Sequence, residues 1–371
     1  MLFTRFRDRR AMDHSRFGLR RRPFRSTPDT DAYFPAAGHE AALNRLRHAI
    51  DDDDSLILLT GEPGTGKTLV ARRLLEGLEE PVRCVLLTNP HVARKGDLLQ
   101  AILFDLGLPY QGLTEQVARL AVTESCLEHY RTGGKTLIVL DEAHHLDSEL
   151  LEELRLLGNL EGKDGKAVQV LLVALPSIDA ALGQPALAQL RQRLTTRARL
   201  EPLDAEESAA YLRHQVESAG GRPDRLFGED VLDILTHAAR GVPRVLNQVA
   251  HLAFDLAAEA GENRVDAEAA VEAVTQLGLD PAAEAERLAA DEEAVRLVPI
   301  PADDDPRPAK GTAAAVAEPP RTTIPFPPVI LPIEDGPPTY VYGDDLADEP
   351  VGPPRPGAGR DPWTGPTDRV G

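Results

Sequence analysis

Residues 61–68 read Gly-Glu-Pro-Gly-Thr-Gly-Lys-Thr and follow directly on an apolar run, Ser55-Leu56-Ile57-Leu58-Leu59-Thr60. No other stretch constrains the fold as tightly. A glycine-rich loop of this form needs a buried strand to deliver it and a helix starting at its end, so that unpaired backbone N–H groups converge on an anion. Lys67–Leu78 supplies the helix, with Leu69, Val70, Leu74, Leu75 and Leu78 at helical spacing. The string is a Walker A phosphate loop. Gly61, Gly64 and Gly66 let the backbone approach phosphates that a Cβ would hold off, and Glu62, Pro63, Thr65 and Leu69 complete the binding segment. Lys67 is expected to reach the β and γ phosphates of a nucleotide, and Thr68 to place its hydroxyl on Mg²⁺. The plain alternative is a glycine turn before an ordinary helix.

A second motif supports the first. Thr136-Leu137-Ile138-Val139-Leu140 is a continuous apolar run, the pattern of a strand buried on both faces of a parallel sheet. It ends in Asp141-Glu142-Ala143-His144, a Walker B string. Asp141 is expected to hold Mg²⁺ through water, and Glu142 to polarise the water that attacks the γ-phosphate. Carboxylates also suit a helix start after a strand, which is the plain alternative.

Strands are expected near 56–60, 82–88, 136–141, 168–174 and 197–201, and helices near 39–50, 67–79, 96–107, 114–131, 147–160, 185–196 and 205–219. This alternation implies an α/β fold, a parallel five-stranded sheet with helices on both faces and ligand at the strand C-terminal ends. One strand separates the Walker A and Walker B strands, as in the additional-strand class of P-loop NTPases. Residues 229–239, 243–260 and 266–277 read as helices alone, a small lid.

Composition divides the 371 residues unevenly around a net charge of −19. Residues 1–28 carry nine arginines against Asp8 and Asp13, so they form a basic N-terminal segment. Residues 281–371 hold 17 acidic and 8 basic side chains and 19 of the 31 prolines. Such a tail buries too little apolar surface to offset chain entropy and is expected to be disordered; its Pro-rich pieces, such as Ile324–Pro328, are either docking motifs or plain solvated chain. The expected boundaries are therefore 1–28, a nucleotide-binding core at 29–202, a helical linker and lid at 203–280, and the tail at 281–371. Cys84 and Cys126 offer neither metal spacing nor a disulfide framework. The longest apolar stretch, Ala167–Leu175, is too short to cross a bilayer, and the N-terminus lacks the apolar core of a signal peptide. A soluble cytoplasmic protein with no membrane span is expected. The acidic total argues against a nucleic-acid coat, leaving a local basic patch open.

Further strings carry a resemblance. Phe17-Gly18-Leu19, Pro23-Phe24, Pro28-Asp29 and Tyr33-Phe34 precede the core, Leu151-Glu152-Glu153-Leu154-Arg155-Leu156-Leu157-Gly158-Asn159-Leu160-Glu161 follows the Walker B strand, and Gln192-Arg193 and Gly241-Val242-Pro243-Arg244-Val245-Leu246-Asn247 come later. With the Walker motifs, these resemble the ExeA/GspA-type secretion ATPases of the AAA+ class over residues 16–279. TniB-like transposition ATPases share much of that core. The resemblance implies ATP as the nucleotide, and a site set between core, lid and a neighbouring subunit of a homo-oligomer. It implies that Arg193 acts as a finger in the neighbour's site; Arg191 and Arg197 compete for that role, and a helix-end arginine favoured by the dipole is the plain reading. Arg244 is implied as the lid sensor of the γ-phosphate, and Asn89 as a residue that holds Glu142 from water, although Thr88-Asn89-Pro90 also makes a strand-ending turn. Tyr33 and Phe34 are the better candidates for base contact, while Phe17 and Phe24 suit core packing equally well.

The departures are informative. His144 stands where the relatives have Gln; the resulting Asp-Glu-Ala-His string invites comparison with helicases, which need two recombinase-like cores where this chain has room for one. His145 reads as a surface or packing histidine. Leu175 replaces the polar first sensor, with Ser177 the only nearby substitute, so hydrolysis is expected to be slow or partner-dependent. Relatives continue into a membrane span and a cell-wall-binding region, which residues 281–371 do not resemble, so the envelope-pore role is not expected to transfer whole. The relatives begin just before the Phe-Gly-Leu string, which makes Met12 an alternative start. The leading expectation is an AAA+ ATPase that remodels or switches a protein assembly whose client the sequence does not name. The alternatives are a nucleotide-gated adaptor for DNA or a transposase, and an ATP-binding scaffold.

Overall fold

The computed structural model describes residues 14–279, apart from residues 26, 80, 89–91 and 164. The expectations for the acidic tail, for Met12 and for Asn89 fall outside these described residues.

In chain order the elements are α1 (Ala37–Asp51), β1 (Leu56–Gly61), α2 (Lys67–Glu76), β2 (Val82–Leu87), α3 (Lys95–Asp105), α4 (Glu115–Arg131), β3 (Lys135–Leu140), α5 (Ser148–Leu157), β4 (Val168–Ala174), α6 (Ile178–Leu182), α7 (Ala188–Arg193) and β5 (Leu194–Leu200). Five further helices follow: α8 (Ala205–Ser218), α9 (Pro223–Leu226), α10 (Glu229–Ala239), α11 (Pro243–Ala260) and α12 (Ala267–Gln276). The strands form one parallel sheet in the order β2-β3-β4-β1-β5. β1 and β4 are buried along their whole length, which is why both read as unbroken apolar runs. β5 lies at an edge and alternates, burying Leu194, Ala198 and Leu200 while Thr195, Arg197 and Arg199 face out.

The start of β5 differs from expectation. The helix expected to run to Thr196 stops at Arg193, and Leu194 and Thr196 already pair with Leu56 and Ile57 of β1. Two adjacent β-branched threonines favour the pleated surface over a further helical turn.

Apolar cores flank the sheet on both faces. One joins Leu58, Ile138, Val170 and Leu172 to α3, α4 and α5 through Leu98, Ile102, Val122 and Leu154. The other joins Ile57, Leu59, Val139 and Leu171 to α1 and α2 through Leu43, Leu46, Val70 and Leu74. A buried Glu153 on α5 takes both bonds of a bidentate pair from Arg119 of α4, each 2.7 Å long; two parallel N–H···O bonds to one carboxylate hold the helices in register.

The C-terminal helices enclose a third core around Leu212, Leu235, Val249 and Phe254. The N-terminal segment belongs to it. Phe17 packs edge-on against Phe254 at 4.8 Å, and Phe24 lies 5.7 Å from Phe254 and 6.3 Å from Phe227. Backbone and side-chain bonds stitch the segment down, from Arg20 N to Ala219 O and from Arg21 Nε to Ser218 O. Among the described residues no helix is long and apolar enough to cross a membrane.

Candidate functional site

The loop between β1 and α2 emerges at the carboxyl end of the parallel strands, where ligands of open α/β sheets sit. Gly66 caps α2 with φ +99°, a left-handed conformation that aims the first helical N–H groups outward. The loop braces itself from inside. Thr65 is fully buried and its hydroxyl donates to Glu62 O at 2.9 Å, while His39 of α1 donates from Nε2 to Thr65 O at 2.8 Å. Lys67 folds back over the loop, donating to Gly61 O and Glu62 O at 3.0 Å each. Burial pushes its ammonium below the ordinary lysine range, and the carboxylates of Glu142 and Asp141 pull it partly back. Thr68 donates to Asp141 Oδ2 at 2.6 Å. The other oxygen of that buried carboxylate, Oδ1, accepts from Glu142 N at 2.9 Å.

A cleft of about 480 Å³ opens over this loop. From the loop it is lined by Pro63, Gly64, Gly66, Lys67, Thr68 and Leu69, from the turn after β3 by Glu142, His144 and His145, and from the strand end after β4 by Leu175. The helical layer supplies Tyr211, Gln215, Pro243, Arg244 and Asn247. Arg244 N donates to Gly64 O at 3.2 Å, so the first turn of α11 rests on the phosphate loop itself. Gly241 makes this approach possible: a Cβ there would lie 1.8 Å from Leu203 O.

Gly61, Glu62 and Thr65 shape the loop from behind without lining the cleft, and Asp141 sits one layer deeper, against Thr68. Arg193 is exposed at the end of α7 and does not line the cleft of its own chain. Tyr33 and Phe34, expected near a base, do not line it either. Tyr33 takes the Arg73 guanidinium over its ring at 5.8 Å, and Phe34 packs on Tyr211 and His214. Arg21, Arg22, Pro23, Arg25 and Asp29 of the N-terminal segment occupy that end of the cleft instead. Their clustered charge read as a basic arm, and only the docking of Phe17 and Phe24 turns it toward the cleft. Ser177 is exposed at the start of α6, away from the cleft.

These residues fit a Mg²⁺-nucleotide. The cradle at Gly64 and Gly66 is one that a Cβ would fill, and an ammonium stands beside a hydroxyl–carboxylate pair, the hard oxygen donors that Mg²⁺ prefers.

Comparison with known proteins agrees. Residues 50–182 match the family model AAA_22, described as AAA domain. General secretion pathway protein A of Aeromonas hydrophila is 34% identical over 252 residues, 67% of this chain and 45% of that protein. The ATP-dependent target DNA activator B of Escherichia phage Mu is 33% identical over 104 residues, 28% of this chain and 31% of its own length. This chain therefore spans less than half the length of either relative. Among solved structures, Cdc6p from Pyrobaculum aerophilum shares the fold, with a TM-score of 0.54 and 18% identity over 68% of each chain. With a P-loop on a five-stranded parallel sheet, a helical layer resting on it and these relatives, the chain belongs to the AAA+ P-loop ATPase family, in the group typified by general secretion pathway protein A.

Proposed function

We propose that this chain binds ATP with Mg²⁺ in the cleft and hydrolyses it, coupling the reaction to a change in a protein assembly. The observation that carries this reading is the alignment of Lys67, Thr68, Asp141 and Glu142 on one wall of a cleft whose opposite wall contains Arg244. Lys67 exchanges its bonds to the loop carbonyls for β- and γ-phosphate oxygens, which suits an ammonium already partly stripped of water. The N–H groups at the start of α2 hold the phosphate chain. Thr68 and Asp141 hold Mg²⁺, which when bound neutralises charge developing on the phosphate oxygens. Glu142 takes a proton from the attacking water.

Arg244 senses the γ-phosphate. Because its own backbone rests on Gly64, loss of that phosphate changes the contacts that hold α11 on the loop. A ligand shifts a conformational equilibrium only through such differential contacts. Arg193 acts in the site of a neighbouring copy, a role supported by its exposure away from its own cleft and suited to a planar, permanently charged guanidinium. The likeness to general secretion pathway protein A favours a secretion-associated assembly as the client.

A second reading is a nucleotide-gated adaptor for DNA or a transposase, with slow hydrolysis. It draws on the likeness to the phage Mu activator, whose name gives target DNA as its object, and on the apolar Leu175 beside Glu142 in the cleft.

Steady-state turnover and nucleotide binding of the Glu142→Gln variant test the leading reading. Turnover is expected to fall by about 10² to 10⁴-fold with ATP binding retained. Undiminished turnover would remove Glu142 as the base, and salt-dependent DNA binding without turnover in the wild type would favour the adaptor.

A further inference from the structure

The turn after β3 sets His144 between two groups carried by different strands. Leu175, which follows β4, donates its backbone N–H to His144 Nδ1 at 3.4 Å. On the far side of the ring, Nε2 lies 3.5 Å from Glu142 Oε2. Together the two contacts define the tautomer. A neutral imidazole carries one N–H; Nδ1 is accepting and therefore bare, so the hydrogen is on Nε2 and faces the carboxylate. Burial holds His144 below the ordinary histidine range, reinforced by the charge of His145, whose ring centroid is 4.1 Å away. The ring is thus a neutral donor on one side and an acceptor on the other.

Glu142 needs such support. Its backbone has φ 57° and ψ 34°, left-handed values that a non-glycine residue rarely adopts. Its backbone N–H is spent on Asp141, and its carboxylate is half-exposed at the cleft wall. A carboxylate on such a turn takes its direction from whatever donor is offered to it.

We propose that His144 is the positioning residue of this site: its Nε2–H orients the Glu142 carboxylate, and the Leu175 backbone N–H locks the imidazole in place. The inference rests on the reading of Glu142 as general base. Leu175 thereby contributes at the end of β4 through its main chain, where its side chain has nothing polar to offer. The strand that neighbours both β1 and β3 is linked to the reacting carboxylate by one imidazole.

Ligand atoms of Glu142, His144 and His145 also lie within 4.8 Å of one another, close enough for a transition metal. Binding a metal through Nε2 would require that nitrogen to be bare while Nδ1 already receives an N–H, which makes the ring an imidazolate. The bond pattern favours donation to Glu142.

Two amides of equal polarity separate the two ends of the ring. In His144→Gln the side-chain amide reaches the place of Nε2 and can still donate to Glu142. In His144→Asn it reaches only the place of Nδ1, keeping the bond from Leu175 and losing the donor. ATP turnover by the full chain is expected to show kcat lowered about 10- to 100-fold in His144→Asn and His144→Ala, and by less than about threefold in His144→Gln. KM should stay within about twofold in all three, because the bond lost orients the base without binding the nucleotide. In single-turnover measurements, adding His144→Asn to Glu142→Gln should cause no further loss. Equal kcat in the Gln and Asn variants, a further loss in the double variant, or a rise in KM at unchanged kcat would each overturn the proposal. Glu142→Gln at the wild-type rate would overturn the base assignment beneath it, whereas an inactive Glu142→Gln beside a fully active His144→Asn would overturn the role of His144 alone.

Discussion

At Gly64 the chain passes through φ +83°, and a Cβ there would lie 2.8 Å from Arg244 Cβ and 3.0 Å from Val242 Cγ1. One hydrogen atom in place of a methyl group thus lets the phosphate loop and the helical layer meet. Gly64→Ala combines the left-handed cost of an L-residue, about 1–2 kcal/mol, with a backbone-bound clash, and should weaken nucleotide binding by about tenfold or more. Titration with a non-hydrolysable ATP analogue measures it, and wild-type affinity would mean that the loop and α11 separate freely. His39 gives a second residue-scale prediction. It is buried beneath the loop, and that burial holds its pKa below the ordinary 6.5, against the opposing pull of its bond to Thr65 and of Glu207 and Glu40. As pH falls through 6.5 the unfolded chain takes up the proton before the folded one does. Stability is therefore intact above that pH and declines below it, toward the lower folded value. Melting temperatures of the wild type should fall over that window more steeply than those of His39→Gln, and parallel curves would contradict the assignment.

At the scale of elements, the helical layer is held by one aromatic nucleus. Phe254 of α11 touches Phe17, Phe24 and Phe227 and is fully buried. Phe254→Ala should cost about 3–5 kcal/mol in chemical denaturation and release the N-terminal segment, with Arg21 and Arg25, from the cleft. Loss of stability with unchanged nucleotide affinity would show that the segment does not shape the site. What the sequence made legible follows from burial. β1, β3 and β4 carry continuous apolar runs because both of their faces are covered, so their positions were evident from composition. β5 is an edge strand whose arginines face out, and its first residues resembled the end of a helix. The short helices α6 and α9 lack a full apolar period. The loop residues 61–69 and the Asp141–Glu142 pair were readable because local backbone geometry dictates their types. Arg21 and Arg25 at the cleft, the left-handed turn at Glu142 and the His144 bridge were not. Each depends on contacts between segments distant in the chain, which no local pattern records.

At the scale of the whole molecule, the cleft has walls from the sheet, the helical layer and the N-terminal segment, yet Arg193 stands outside it on an exposed flank. A phosphoryl-transfer site that uses an arginine from a neighbour is active only when copies meet. Arg193→Ala retains its own Walker residues and lacks the finger; Glu142→Gln lacks the base and retains the finger. Loss of a finger costs about 10³ to 10⁵-fold in kcat, so each variant alone should be nearly inactive. The decisive measurement is ATP turnover across a series of protein concentrations for the wild type, each variant and their equimolar mixture. Specific activity rising with wild-type concentration, together with recovery of turnover in the mixture, is the expected result. Specific activity independent of concentration, with an Arg193→Ala variant as active as the wild type, would contradict a site completed between copies of this chain.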